Sequence, residues 1–411
     1  MTSYENTNPG PFAASPPHTG APPTARILMA MLTRLACGEL AVIDPDGRAH
    51  RFGPGGGNAG RGEITFRGWR LAREILTGGD VAFAEAWIDG RWDTPDLPAL
   101  LTVLAHNQPA LERAFYGHAW QRALFRFKHW LNANSRRKVK RNIAAHYDLG
   151  NDFYRLWLDP TMTYSSALFG GDFTQSLAAA QQAKYDRILA ELALPTGAHI
   201  LEIGCGWGGF AEVAARAGYR VTGLSLSDAQ TKYARERIAR TGFSDRVTLR
   251  VQDYRDERGT YDGVASIEMF EAVGEKYWPA YFTTLRRSLA PGGRACVQTI
   301  TIDDARFERY RTQSDFIQQY IFPGGMLAAP SRFVVEAARA GLHVAKTEEF
   351  GRDNGETLAR WLAAFEANAG EVRARGFDEN FIRCWRFYLA YCIAGFASGS
   401  TDVAQYTLVA R

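Results

Sequence analysis

Cysteine is scarce and scattered in this chain. The five residues Cys37, Cys205, Cys296, Cys384 and Cys392 form no CxxC pair and stand near no histidine pattern of the zinc-binding kind. A disulfide scaffold and a structural zinc site are thereby excluded, and free thiols in a reducing cytoplasm are the simplest reading. Long apolar runs are also missing, since even the stretch from Ile27 to Ile43 is broken by Arg34, Gly38 and Glu39. No segment reads as a membrane span. A net charge of only +4 in 411 residues argues against a general nucleic-acid binder. The first two dozen residues lack a basic stretch followed by an apolar core, so residues 1–25 read as a disordered tail and not as a secretion signal.

What is present is a hydrophobic content of 46% over a length that suits two or three domains. Residues 26–125 alternate short apolar runs with turns. Strand patterns at Glu39–Asp44 and Glu63–Phe66 precede helical patterns at Trp69–Leu76 and Asp80–Ile88, which predicts a small α+β domain. Its break at Gly53-Pro54-Gly55-Gly56-Gly57 is a surface loop and no phosphate cradle, because no Gly-Lys-Ser/Thr follows. Residues 126–145 read as a basic linker helix. There Arg136, Arg137, Lys138, Lys140 and Arg141 follow the aromatic-rich stretch Phe115 to Trp130. Basic residues beside aromatic rings suit an anionic lipid surface, at about 1 kcal/mol each. A solvated helix face is the plainer alternative.

The strongest signal is Leu201-Glu202-Ile203-Gly204-Cys205-Gly206-Trp207-Gly208-Gly209. An apolar strand that ends in an acid and runs into spaced glycines is how many methyltransferases seat S-adenosylmethionine. Gly204, Gly206 and Gly208 let the backbone turn sharply and approach a ligand that a Cβ would push away. A glycine-rich turn in another nucleotide-binding fold is the competing reading. Around this motif the pattern repeats: a helix within Thr174–Leu194, strand Ile200–Ile203, helix from Phe210, strand Arg220–Leu224, helix Asp228–Ile238, strands Val247–Val251 and Tyr261–Ile267, helix Trp278–Leu289 and strand Arg294–Ile300. Such alternation over 146–411 predicts an α/β catalytic domain, a doubly wound and mostly parallel sheet of the Rossmann-like class I methyltransferase kind, preceded by the smaller domain. Ligands of such sheets sit at the carboxyl ends of the strands, which carry Gly204, Ser225, Asp253, Glu268 and Gln298.

Five blocks carry a resemblance to a known family. They are His146 to Tyr154 continuing through Leu158-Asp159-Pro160 to Tyr164-Ser165, the glycine loop, Gln252 to Asp256, Met269 to Gly274, and Tyr320 to Gly325. In this order they resemble the cyclopropane-fatty-acid synthases, a family that includes the mycolic-acid methyltransferases. Residues Ala84 to Gly90 resemble, more weakly, that family's lipid-facing domain. The resemblance implies transfer of a methylene or methyl group from S-adenosylmethionine to the double bond of an unsaturated acyl chain in a membrane phospholipid, by an enzyme peripheral to the cytoplasmic membrane face. A homodimer is left open. It also implies that Tyr164 and Ser165 meet the methionine end of the cofactor, Gly204, Gly206 and Gly208 the loop, Ser225, Leu226 and Gln230 the ribose and adenine side, and Asp253 and Tyr254 the adenine.

An alkene is a poor nucleophile, so the sulfonium methyl must be held in line at about 3 to 3.5 Å with water absent. Attack leaves a cation on the acyl chain, which needs aromatic faces or a carboxylate, and then a base. Tyr164, Trp207, Phe270, Phe316 and Tyr320 are candidate rings, with core packing the plain alternative for each except Tyr164. In the family the base resembles a bound bicarbonate. By motif match its site here comprises Glu271, Ser166 in place of cysteine, Ile300, Gln298 in place of histidine, and Asn354 at the tyrosine position. Two readings follow. Either bicarbonate binds through Glu271, Gln298 and Asn354, or the ion is lost and Glu271 or Glu268 acts alone. A cyclopropane synthase is the reading the resemblance implies; without a well-placed base the cation could lose a different proton, and the alternative is a methylene- or methyl-branched acyl chain without ring closure. A helix-capping role is the plain alternative for Glu271.

Overall fold

The computed structural model describes residues 20–115 and 149–410. The tail up to residue 19, the basic linker helix with Arg136 to Arg141, and His146 to Asp148 lie outside the described residues. A helix begins at Pro23, two residues before the expected end of the tail.

Two compact units share the chain. The first comprises the described residues up to 115 together with Asp378–Ser398. Its strands β1 (Glu39–Ile43), β2 (Ala49–Phe52), β3 (Arg61–Phe66) and β4 (Trp92–Asp93) form a sheet in the order β2-β1-β3-β4. Asp44 builds the β1–β2 turn by accepting the backbone N–H of Asp46 and of Arg48, each at 2.9 Å, while His50 Nε2 lies 3.0 Å from its other oxygen. The two helical patterns at Trp69–Leu76 and Asp80–Ile88 are one bent helix, Arg70–Ile88, kinked at Gly79, whose φ is +62°. Helix Glu379–Ala397 belongs to this unit. Its Arg383 stacks on the Trp87 ring at 3.8 Å and donates to the carbonyls of Trp87 and Trp92. The chain therefore returns to its amino-terminal unit late, which differs from the unbroken domain expected over 146–411. The pattern of Glu379–Ala397 is that of an ordinary amphipathic helix, and periodicity does not say which unit it covers.

The second unit holds a seven-stranded sheet in the order β10-β11-β9-β8-β5-β6-β7. Its strands are β5 (His199–Ile203), β6 (Arg220–Ser225), β7 (Val247–Val251), β8 (Tyr261–Ile267), β9 (Leu289–Ile302), β10 (Leu342–Glu349) and β11 (Thr401–Ala410). β5 pairs in parallel with β6 and β8, β6 with β7, and β8 with β9; β11 runs antiparallel between β9 and β10. Alternate residues feed two cores. Leu201, Ile203, Val264 and Val297 join one with Phe270, Tyr281, Phe282 and Phe333. Ile200, Ala265 and Cys296 join the other with Tyr185, Ile188, Phe210 and Ile238. Both faces are thus covered, as a parallel sheet requires.

Candidate functional site

Parallel pairing brings the carboxyl ends of β5 to β9 to one rim. At the end of β5 the backbone enters Gly204, Gly206 and Gly208 with φ of +87°, +49° and +79°. A Cβ on Gly204 would stand 2.7 Å from the Met269 side chain and one on Gly208 3.0 Å from Ala234, whereas nothing lies within 4 Å of the Cβ position at Gly206. The loop is therefore closed toward the protein at two glycines and open at the third, the side on which a ligand can approach. At the end of β6, Ser227 caps helix Asp228–Thr241 by accepting the Gln230 N–H at 3.2 Å. That cap sets the buried Gln230 amide 3.5 Å from Ser225 Oγ. Leu226 sits half-buried between them.

Asp253, at the end of β7, is paired with Arg255. Both of its carboxylate oxygens bind the Arg255 guanidinium, at 2.9 and 2.6 Å, and one also accepts the Arg255 N–H. It caps the short turn Tyr254–Asp256, as an aspartate two residues before a free backbone donor commonly does. Tyr254 meets Tyr281 edge-on at 5.7 Å.

The carboxylates at the end of β8 form the polar heart of the rim. Glu268 adopts φ +46°, a left-handed backbone that non-glycine residues occupy only when their surroundings hold them there. Its N–H donates to the Gln298 carbonyl at 2.8 Å. Its Oε1 accepts the Ser166 N–H at 2.8 Å and Gln298 Nε2 at 2.7 Å. The direction of that last bond is imposed from far away. Arg187 can only donate, and its Nε binds Gln405 Oε1 at 2.9 Å; Gln405 Nε2 then donates to Gln298 Oε1 at 2.9 Å, which leaves Gln298 Nε2 for Glu268 and, at 3.3 Å, the Ser166 carbonyl. Burial raises the Glu268 carboxyl above its ordinary range, opposed mainly by the Lys184 ammonium.

Glu271 stands next to it on the turn Phe270–Ala272. Its Oε1 accepts Thr299 Oγ1 at 3.0 Å and the Ile300 N–H, while its Oε2 is buried with no hydrogen-bond partner among the described residues. Desolvation first, and the Glu268 charge second, push its carboxyl upward. Most of the donors expected to hold bicarbonate are engaged within the protein. Backbone N–H groups of Ser166 and Ile300 and both amide hydrogens of Gln298 are already given to Glu268, Glu271 and a carbonyl. Of the expected ligands with a polar side chain, only Asn354 makes no side-chain hydrogen bond among the described residues. It lies buried on helix Gly351–Ala367, whose Asp353 and Thr357 accept the N–H groups of Phe169, Gly170 and Ala167.

Of the candidate rings, Tyr164 packs at 5.3 to 5.5 Å against Trp361, Trp157 and Tyr154, and Tyr154 in turn at 5.0 Å against Trp207 of the glycine loop. Phe270 is a core residue, enclosed by Trp278, Tyr281, Phe282 and Phe333. Phe316 is buried beneath an exposed Tyr320, to which it stacks at 5.3 Å. Lys184, Gln181 and Gln405 were absent from the sequence reading. Gln181 and Lys184 fall on the same helical stripe as Leu177, Ile188 and Leu192, and a polar residue on an apolar stripe was the available signal.

Among the described residues no group of histidine, cysteine and carboxylate side chains could hold a metal ion, and no helix is long and apolar enough to cross a membrane. The doubly wound sheet with a glycine loop at its rim defines a class I S-adenosylmethionine-dependent methyltransferase. Residues 134–406 match the family model described as mycolic acid cyclopropane synthetase, and the chain belongs to that family. It is 40% identical over 348 residues to tuberculostearic acid methyltransferase UfaA1 of Mycobacterium tuberculosis, covering 82% of this chain and 81% of that protein. Identity to the cyclopropane-fatty-acyl-phospholipid synthase of Escherichia coli K12 is 31% over 334 residues, with 81% and 84% covered. The structure is similar to the mycolic acid cyclopropane synthase CmaA1 complexed with SAH and CTAB. Their TM-score is 0.61 at 32% identity, over 66% of this chain and 97% of that one. The protein is therefore an enzyme that uses S-adenosylmethionine, from a family that modifies lipids.

Proposed function

We propose that this enzyme methylates an unsaturated acyl chain of a membrane phospholipid at its double bond, with Glu268 as the resident proton acceptor and a methylene-branched chain as product. One observation carries the reading: the Glu268 carboxylate holds the Ser166 N–H and the Gln298 amide, donors that an added anion would need. The name of the 40% identical tuberculostearic acid methyltransferase supports it.

Bound S-adenosylmethionine supplies an electrophilic methyl, so that a carbon–carbon bond forms from the alkene pair as the methyl–sulfur bond breaks, leaving the positive charge on the acyl chain. Gly206 and its neighbours would give the cofactor backbone access, and by motif match Ser225 and Gln230 would hold its ribose side and Tyr164 and Ser165 its methionine end. The ring cluster around Tyr164 offers apolar, electron-rich faces and excludes water from a cation that water would quench. After a hydride moves from the methylated carbon to its cationic neighbour, Glu268 takes a proton from the new methyl and the released pair forms the carbon–carbon double bond of the methylene branch. A carboxylate raised by burial is a better acceptor than one in water. Cyclopropane formation is the second reading, favoured by the E. coli relative and by Glu271 at the expected site; there the same proton leaves before the hydride moves and the pair closes the ring.

NMR of lipid purified from cells expressing the protein and fed methyl-labelled methionine separates them. An alkenyl methylene carbon carrying the label is expected. A labelled ring methylene would overturn this reading in favour of the second. Glu268→Gln should lower turnover at least about a hundredfold with cofactor affinity nearly unchanged, within the range for loss of a general base.

A further inference from the structure

Lys184 has no exposed surface. From the inward stripe of helix Leu177–Leu192 its Nζ donates to Ser165 Oγ at 2.6 Å and to Gln181 Oε1 at 2.5 Å, and it stands 4.7 Å from the centre of the Tyr185 ring. Neither oxygen is charged. A buried ammonium is costly unless an anion faces it. Burial lowers Lys184 from its ordinary 10.5 to about 7, opposed by the charge of Glu268 first and of Asp159 second, and Asp159 is engaged in its own turn through Thr161 N and Oγ1 at 3.0 Å. Lys184 and Gln181 also grip one short segment from beneath. Gln181 Nε2 donates to the Ser165 carbonyl at 2.9 Å, and the next residue, Ser166, presents its N–H to Glu268.

We propose that Lys184 is a positioning residue for Glu268: bonded to Ser165 Oγ and to Gln181, which holds the Ser165 carbonyl, it pins the Ser165–Ser166 segment whose N–H seats the Glu268 carboxylate and sets a positive charge beneath that segment. The inference rests on the reading of Glu268 as proton acceptor. Glu268 is faced by the Ser166 N–H and Gln298, by Glu271, which opposes its ionisation, and by Lys184, which favours it. Lys184 is faced by Glu268, Asp159, Gln181, Ser165 and the Tyr185 ring.

The test compares full-length wild type, Lys184→Met, Glu268→Gln and the double variant, with vesicles of unsaturated phospholipid as substrate. Turnover is followed against pH and thermal unfolding is measured on each. Without the cation Glu268 must lose its proton at higher pH, so the acid limb of the Lys184→Met profile should move up by about one unit, with turnover near neutrality down about tenfold and recovering in alkali. An equal loss at every pH, with the limb unmoved, overturns the proposal. Should Lys184→Met alone unfold, the cycle still decides. Removal of both charges should restore part of the lost thermal stability, and a double variant no more stable than Lys184→Met overturns the coupling. Wild-type turnover in Glu268→Gln would instead sink the proton-acceptor reading itself, whereas an inactive Glu268→Gln with an unmoved limb in Lys184→Met sinks the Lys184 inference alone.

Discussion

At Gly206 a left-handed φ of +49° coincides with open space where a side chain would project. Valine there meets strain from a β-branched side chain in that conformation and also fills the approach to the loop. Gly206→Val should abolish S-adenosylmethionine binding measured by calorimetry; wild-type affinity would remove the loop from the site. Glu202, at the end of β5, gives a pH-dependent prediction. Burial pushes its carboxyl from an ordinary 4.5 up to about 8, only partly countered by Arg237. Between those values the folded protein keeps a proton that the unfolded chain releases. The stability from that proton is therefore full below about pH 4.5 and declines as pH rises toward 8, by at most about 1.4 kcal/mol per unit. Glu202→Gln, which cannot ionise, should match wild type in denaturant unfolding near pH 4 and exceed it near pH 8. Parallel stability curves would contradict the buried-acid assignment.

Among the elements, helix Asp228–Thr241 ties cofactor geometry to a single cap. Ser227 satisfies the Gln230 N–H, and its own N–H donates to Ser225 Oγ at 3.1 Å, so one residue fixes both side chains expected at the ribose. Ser227→Ala should cost about 1 kcal/mol in unfolding free energy. It should also weaken cofactor binding severalfold by calorimetry, although residue 227 itself is not a proposed contact. Unchanged affinity would mean that Ser225 and Gln230 do not serve the ribose. β11 works at longer range: its antiparallel insertion sets Gln405 opposite Gln298, and the Arg187-to-Glu268 relay exists only because of that register.

On the scale of the whole chain, the proposed phospholipid substrate would require the protein to meet a membrane surface. The basic residues 136 to 141 are the sequence feature best suited to an anionic bilayer. Neutralising Arg136, Arg137 and Lys138 together should weaken co-sedimentation with anionic vesicles, and added salt should weaken wild-type binding in the same way. Binding indifferent to both would mark the cluster as a solvated face.

Much of this was legible along the chain. The glycine loop, the alternation of elements and the shared rim follow from local rules, because strand and helix periods and left-handed glycine positions depend on near neighbours. Glu268 and Gln298 could be named because they end strands of that sheet, whereas Glu271 was named only through the family resemblance. What tertiary structure decided is who holds whom. Gln298 is committed to Glu268 by an arginine 111 positions before it and a glutamine 107 after it, Asp253 is spent on Arg255, Phe270 lies in the core, and Lys184 lies under Ser165. A hydrogen-bond donor has few hydrogens, and burial makes each choice of acceptor exclusive. Sequence order names the groups able to bond, but only packing determines which bonds are made.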